Sequence, residues 1–150
     1  MTQETARRIR LTGAVLFILY FAALEYMLLF SERSVADQIA CNLVPFREIR
    51  RFIQYAELIG MKNVLINLVG NVVGFCPFGA ILPILYRKLR SGWRMIGLTA
   101  LFSVGMELIQ LLTRVGSCDI DDVILNTLGG AIGFCVFAVC DRMRRHIWPV

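Results

Sequence analysis

Four runs of apolar residues divide this chain, and each is about as long as a helix that crosses a lipid bilayer. The runs cover residues 11–30, 64–86, 95–113 and 123–140. An α-helix rises about 1.5 Å per residue, so roughly 20 residues cross about 30 Å of hydrocarbon. The 150-residue chain is 57% hydrophobic and 18% charged, which is more apolar surface than a soluble domain of this size buries. We therefore predict one all-α integral membrane domain over residues 1–150, built as a bundle of four transmembrane helices.

The lysines and arginines at the ends of these runs predict how the chain crosses the membrane. If the amino terminus lies inside, the inner segments hold ten of the 16 lysines and arginines, and the outer segments hold six. Cytoplasmic segments carry the excess of these residues, so both termini are predicted to be cytoplasmic. The first run lacks a small-residue cleavage site and is therefore expected to be a retained span. The net charge of +5 follows from this distribution and gives no reason to expect a nucleic-acid partner.

The segment between the first two runs has an amphipathic pattern over residues 46–59. Arginines alternate with apolar residues that recur at helical spacing, namely Phe46, Ile49, Phe52, Ile53, Ala56 and Ile59. A helix with arginines on its polar face tends to lie flat in the headgroup layer. We therefore predict an interfacial helix on the outer side, between the first and second spans. A helix that caps the bundle explains the same pattern and is an open alternative.

Glycines and prolines predict how the spans pack. Two G-x-x-x-G steps lie in the second and fourth runs, at Gly70 and Gly74 and at Gly129 and Gly133. Small residues at this spacing let transmembrane helices approach closely, so a tight bundle is expected. Pro77 and Pro83 interrupt the hydrogen bonds of the second span, which predicts a kink there or a break at residues 78–79.

The strongly polar residues of the runs all fall in the outer half of the membrane. Measured along each helix from its outer end, the depths are about 8 Å for Glu25, 11 Å for Asn71, 9 Å for Glu107 and 5 Å for Asn126. Polar residues that merely joined helix to helix would be scattered through the bilayer. Their common depth instead predicts one polar pocket in the outer leaflet.

A charged turn between the third and fourth runs extends this polar region. Four residues before the turn share one helix face, at steps of four, three and four: Ser103, Glu107, Gln110 and Arg114. Three acids follow, at Asp119, Asp121 and Asp122. A charged side chain in a lipid-facing helix costs a few kcal/mol or more, so such residues face a bundle interior or a wet cavity. The turn at residues 116–122 and the interfacial helix are predicted to roof the pocket.

Structural roles for the same residues are open alternatives. Glu107 could pair with Arg114, and Gln110 could bond to an asparagine of another helix. Asp121 or Asp122 could cap the fourth helix by accepting its first backbone amides. Two carboxylates could also form an acid–base pair or bind a divalent cation. The candidates for catalysis are Glu107, Asp119 and Asp122.

The five cysteines have no spacing typical of a metal site, and no metal or cofactor is predicted. Cys76, Cys135 and Cys140 lie in apolar runs, where a thiol acts as a small apolar group. Cys41 and Cys118 lie in the two outer segments. A disulfide between these two is an alternative that spacing alone does not decide.

Four segments of the sequence resemble the VanZ family and occur in the family's order. They are NLVPF at 42–46, NVVGFCPFG at 71–79, S-x-x-x-E-x-x-Q at 103–110, and R-x-x-x-x-D-I-D-D-V-I-L-N-T-L-G-G at 114–130. The resemblance implies a small multi-pass membrane protein of bacteria. It also implies a link to low-level resistance against the glycopeptide teicoplanin. The family's motif positions fall here on Asn42, Pro45, Asn71, Pro77, Glu107, Gln110, Asp119, Asp122 and Asn126.

These observations predict that the outer pocket binds an amphiphile, either a lipid-tailed glycopeptide or a lipid of the cell envelope. The predicted ligand-binding residues are Asn42, Asn71, Glu107, Gln110, Arg114, Asp119, Asp122 and Asn126. One alternative is a carboxylate- or metal-dependent enzyme that acts on an envelope lipid or a polyisoprenyl phosphate. Another is a structural or assembly partner of a membrane complex. Turnover would identify the enzyme, and tolerance to carboxylate loss would identify the assembly partner.

Overall fold

The computed structural model describes residues 3–31, 41–113 and 118–147, and these residues are mostly helical. The long helices are α1 (Gln3–Ser31), α4 (Met61–Leu85), α5 (Gly92–Thr113) and α6 (Ile120–Ile147). Two short helices, α2 (Arg47–Gln54) and α3 (Ala56–Ile59), precede α4, and a 3-10 turn at Arg87–Leu89 follows it. The strands β1 (Cys41–Asn42) and β2 (Cys118–Asp119) form a parallel pair.

Three of these helices are long and apolar enough to cross a membrane. Their candidate spans are Met61–Leu85, Gly92–Thr113 and Ile120–His146. The all-α class is thus confirmed, and each helix begins about three residues before its predicted span because helical hydrogen bonding continues into polar residues at the ends. In α1 the apolar segment among the described residues is shorter, Leu11–Ala23. A fourth span and the cytoplasmic location of both termini therefore stay predictions.

Aromatic side chains join α1 to the core of the bundle. The buried core contains Phe75 and Phe78 of α4 and Met95 of α5. The ring of Phe21 on α1 packs edge-on against Phe102 of α5, with the ring centroids 4.7 Å apart. Edge-to-face contact suits the charge distribution of aromatic rings and adds to the effect of burial. One face of α1 therefore belongs to the core, whatever its depth in a membrane.

Glycine allows α4 and α6 to approach backbone to backbone. A Cβ atom added at Gly133 would lie 1.9 Å from the Cys76 carbonyl oxygen, and one at Gly129 would lie 2.2 Å from that of Val72. The predicted close approach at the second G-x-x-x-G step is therefore confirmed. Gly70 has open space around its Cα, so its predicted role in packing is wrong.

Helix α4 is continuous through its prolines, and the predicted break at residues 78–79 is wrong. Pro77 and Pro83 both lie inside the helix. A Cβ atom at Gly79 would lie 1.9 Å from the Gly130 carbonyl oxygen, so this part of α4 is held directly against α6. Proline is tolerated in a membrane helix when neighbouring helices support it. Gly79 therefore allows α4 to pack closely against α6 and does not break the helix.

The amphipathic segment is two short helices, whereas one helix was predicted over residues 46–59. Helix α2 ends at Gln54, and the backbone of the next residue, Tyr55, leaves the helical region (φ −105°, ψ 21°). Gly60 then adopts a positive φ of 89°, which directs the chain into α4. Several apolar side chains of this segment remain exposed, among them Ile53 and Leu58. Exposed apolar groups beside arginines are what a helix in the headgroup layer presents to lipid.

Alanine at Gly133 is expected to destabilise the protein, because its Cβ has no room beside α4. Overpacking of this kind typically costs about 1–3 kcal/mol. Alanine at Gly70 is the matched control, since it meets open space and gains up to about 1 kcal/mol of helix propensity. The measurement is the midpoint of thermal unfolding of each purified variant in detergent. Equal midpoints for the two variants would contradict the packing described above.

Candidate functional site

The polar side chains lie around the pair of strands β1 and β2, near the end of α5 and the start of α6. Several of them are buried despite their polarity, namely Asn71, Ser103, Glu107, Asp119, Asp121 and Asn126. Burying a polar group is costly unless it is hydrogen-bonded. The bonds among these groups therefore determine the shape of the site.

The strand pair brings the two outer segments together. Asn42 of β1 lies opposite Asp119 of β2, and its side-chain nitrogen donates to the Asp119 carboxylate at 2.9 Å. The backbone nitrogen of Asp119 donates to the Glu107 carboxylate at 2.7 Å. Glu107 thus ties β2 to α5, as a structural role would require. Its predicted part in ligand binding stays a prediction, and Arg114, its suggested ion-pair partner, lies outside the described residues.

Asp121 caps α2 of the first segment and not its own helix α6. Its carboxylate accepts hydrogen bonds from the backbone nitrogens of Phe46, of Glu48 at 2.8 Å and of Ile49 at 3.1 Å. The prediction that Asp121 caps the fourth helix is therefore wrong. A carboxylate at this position satisfies amides that have no partner within α2 and also interacts favourably with the helix dipole. The side chain is 1% exposed, so the cap is sealed from solvent.

Asp119 provides the cap that was predicted for Asp121 or Asp122. Its carboxylate accepts a hydrogen bond from the backbone nitrogen of Asp121 at 2.8 Å, at the start of α6. The same oxygen accepts the bond from Asn42. The Asp119 carboxylate thus serves as a cap and as the link between the strands.

Two further bonds join neighbouring helices. The Asn71 side chain of α4 donates to the Asp122 carboxylate of α6 at 2.6 Å. Farther along α6, Asn126 donates to the Ser103 hydroxyl of α5 at 2.8 Å. Within the described part of the chain, the side-chain oxygen of Gln110 is buried without a hydrogen-bond partner, so the predicted bond from an asparagine is not seen.

The bonds described above involve six of the eight predicted ligand-binding residues. They connect Asn42, Glu107 and Asp119 in one set and join Asn71 to Asp122. Asn126 belongs to the separate pair with Ser103, and Gln110 is not bonded to the set through its oxygen. Helical spacing, depth in the membrane and the family motifs indicated these residues, but they could not distinguish the sets, because the sets depend on how the helices are rotated.

A cavity of about 100 Å³ lies between α2, α4 and the start of α6. Its lining consists of Glu48, Ile49, Arg51, Phe52, Asn67, Leu68, Asp119, Asp121, Asp122 and Leu125. Since a water molecule occupies about 30 Å³ of liquid, the space suits a small polar group. Four carboxylates and one guanidinium line it, so hydrogen-bond donors and cations are the groups that it favours.

Of the predicted ligand-binding residues that the structure describes, Asp119 and Asp122 line this cavity. The prediction missed Glu48, Arg51 and Asn67. The sequence pattern was sufficient to predict Asn67, because Asn63, Asn67 and Asn71 follow one another at steps of four along α4. Glu48 and Arg51 had no such signal, since their place depends on the Asp121 cap that holds α2 over the cavity.

Burial raises the pKa of Asp119 above its ordinary value of 3.8. Hydrogen bonds from the Asp121 backbone and the Asn42 side chain act in the opposite direction, while the nearby charges of Asp121 and Glu48 raise the pKa further. The net shift is upward because desolvation is the largest effect.

This shift predicts how the stability of the protein depends on pH. A raised pKa means that the folded state holds the proton more tightly than the unfolded chain, so Asp119 reduces stability as pH rises above 3.8. The side-chain amide introduced by Asp119→Asn cannot ionise, but its oxygen can still accept both hydrogen bonds. The unfolding midpoint of Asp119→Asn relative to wild type should therefore increase as pH rises from 3.8 to the folded-state pKa of Asp119 and stay constant above it. A difference that does not vary with pH would contradict this account.

Loss of the Asp121 carboxylate should loosen α2 selectively. Removing a helix cap costs about 0.5–2 kcal/mol, and three amides lose their acceptor in Asp121→Ala. The measurement is hydrogen exchange of the Glu48 and Ile49 amides, which should become faster. Glu57→Gln is the matched control, because it removes an exposed carboxylate from the adjacent helix α3. Unchanged exchange in Asp121→Ala would show that this carboxylate does not cap α2.

Comparison with known proteins agrees with the resemblance seen in the sequence. A family model described as VanZ/LLP1 matches residues 17–141, which include the cavity and all the bonds of the site. Protein VanZ of Enterococcus faecium is 27% identical over 133 residues, which cover 85% of this chain and 74% of that protein. No solved structure matches this chain significantly.

Proposed function

This chain belongs to the VanZ/LLP1 family, and from that membership we propose that it contributes to resistance against lipid-tailed glycopeptides of the teicoplanin type. The family relationship supports this activity at the level of the family. The protein acts by binding a small polar group of an amphiphile in the cavity beside α2. The amphiphile is the antibiotic itself or an envelope lipid that the antibiotic exploits.

One observation carries the proposal: a carboxylate-lined cavity adjoins an exposed apolar face of the bundle. Asn67 and Leu68 of α4 line the cavity. On the same helix the neighbouring side chains of Leu65 and Val69 are 53% and 47% exposed. An amphiphile has both a polar group and a hydrocarbon tail. Its polar group would lie in the cavity, and its tail would lie along this apolar face.

The size of the cavity limits what enters it. About 100 Å³ admits an amine, a hydroxyl or an amide, but not the whole head of a glycopeptide. The bulk of such a head would remain outside, next to α2 and its arginines. Binding would therefore restrain the antibiotic at the membrane surface, away from its target.

The charges of the cavity favour a ligand with donor groups. Asp119, Asp121 and Asp122 lie within four residues of one another, and a cation or donor would relieve their mutual repulsion. Arg51 contributes one opposing charge, but it is already paired with Glu48 at 3.1 Å near the surface. Asp122→Asn preserves the shape of the side chain and removes its charge, so it tests this electrostatic contribution.

Expression of the chain in a susceptible Gram-positive host should raise the inhibitory concentration of teicoplanin and leave that of vancomycin unchanged. Asn67→Ala should abolish the increase, because it removes a polar group from the cavity wall. Asn63→Ala is a closely matched control. Each asparagine donates to the carbonyl four residues earlier in the chain at 2.9 Å, but only Asn67 lines the cavity.

The amounts of all variants in the membrane must be equal for this comparison. Loss of resistance in both asparagine variants would point to a general defect of α4, and no increase with wild type would reject the proposal. Binding of teicoplanin to the purified protein is a direct measure of the proposed interaction. Asp122→Asn should weaken it about tenfold, which corresponds to about 1.4 kcal/mol. If Asp122→Asn instead abolished turnover of an envelope lipid while binding persisted, the enzyme alternative would replace this proposal.

A further inference from the structure

Cys41 and Cys118 lie directly opposite each other in the parallel pair of β1 and β2. Their Sγ atoms are 2.6 Å apart. Neighbouring strands are about 4.8 Å apart, which is within the range of Cα separations that disulfides span. The backbone therefore needs no rearrangement to join the two sulfurs. We infer that Cys41 and Cys118 form an intrachain disulfide between the two outer segments of the protein.

The compartment is the second requirement, and the proposed orientation meets it. With both termini in the cytoplasm, β1 and β2 lie on the outer side of the membrane, where disulfides form and persist. The remaining cysteines, Cys76, Cys135 and Cys140, lie within candidate membrane-spanning helices. The strand pair thus contains the two cysteines that an extracytoplasmic oxidant can reach.

The chemistry is a thiol–disulfide exchange with an envelope oxidoreductase that carries a reactive disulfide. The exposed Cys41 attacks that disulfide and displaces one of its sulfurs as a thiol. Cys118 then attacks Cys41 Sγ and releases the second oxidoreductase sulfur. The two cysteines lose two protons and two electrons in total, and the oxidoreductase disulfide gains them to become a dithiol.

The environment of Cys118 indicates when this reaction takes place. In the folded chain Cys118 is 8% exposed. Burial is the main cause that raises the pKa of its thiol, followed by the effect of Cys41. A buried thiol of this kind forms the reactive thiolate only rarely at neutral pH. Oxidation therefore belongs to the stage of folding before Cys118 is buried, and the test must capture the state formed in the cell.

The disulfide would fix the pairing on which the cavity depends. Asn42 and Asp119 follow the two cysteines directly, and their hydrogen bond is the next link between the strands. The covalent bond would also limit how far α2 moves from its cap at Asp121. This inference rests on the strand pair and does not depend on the identity of the ligand.

The test uses the full chain in bacterial membranes with Cys76, Cys135 and Cys140 replaced by alanine. Cells are lysed directly into acid, and free thiols are then labelled in detergent with a maleimide polymer that shifts the band on a gel. The expected result is no labelled thiol before reduction and two after reduction. Adding Cys41→Ser or Cys118→Ser to this background should give one labelled thiol in either condition.

Two labelled thiols before reduction would overturn the inference, as would a covalent dimer on a non-reducing gel. A second measurement avoids the triple replacement in case that variant does not fold. Mass spectrometry of the digested wild-type chain should find the peptides of Cys41 and Cys118 linked, two hydrogens lighter than their sum. Finding both peptides only as blocked free thiols would also overturn it. Neither measurement uses resistance as a readout, so its outcome is separate from that of the proposed function.

Discussion

The carboxylate of Asp121 is the interaction on which the arrangement of the site depends. It accepts three backbone amides from a segment more than 70 residues earlier in the chain. Those amides would otherwise lie unsatisfied at the start of α2, and the acid would be buried without a partner. The hydrogen bonds between the amides and the carboxylate therefore remove the cost of burying either of them without a partner. Because Asp121 is fixed at the first turn of α6, the position of α2 over the cavity follows from the position of α6.

A second constraint is the close contact of α4 with α6. Gly79, Gly129 and Gly133 leave no space for a side chain between the two backbones. In a bilayer this contact cannot rely on the hydrophobic effect, since lipid is as apolar as the helix surfaces, and it depends on close packing. The contact sets the distance between Asn71 and Asp122. The geometry of the polar residues therefore rests on residues that have no side chain.

Local sequence properties predicted much of the fold and only part of the site. The apolar runs identified α4 and α5 to within three residues, because hydropathy is a property of each segment alone, whereas α6 continues seven residues beyond its predicted end. Helical spacing also indicated Glu107 and Ser103, which bond to β2 and to α6. The contacts of the site were harder to predict from the sequence, because they depend on which distant segments of the chain meet. Asp121 was interpreted as the cap of its own helix because no local pattern indicated that the amides of Glu48 and Ile49 lie beside it. The proline pattern similarly suggested a break in α4, whereas contact with α6 keeps that helix continuous.

The order in which the chain is made gives the Asp121 cap a further consequence. Helix α2 is synthesised well before α6, so its amides lack the Asp121 carboxylate until the first turn of α6 has been made. The same delay applies to β1, whose partner β2 immediately precedes α6. A chain that stopped after α5 would contain every arginine of α2 but no cavity. Formation of the cavity therefore requires that α6 has been made, and a chain that stops before α6 lacks this cavity.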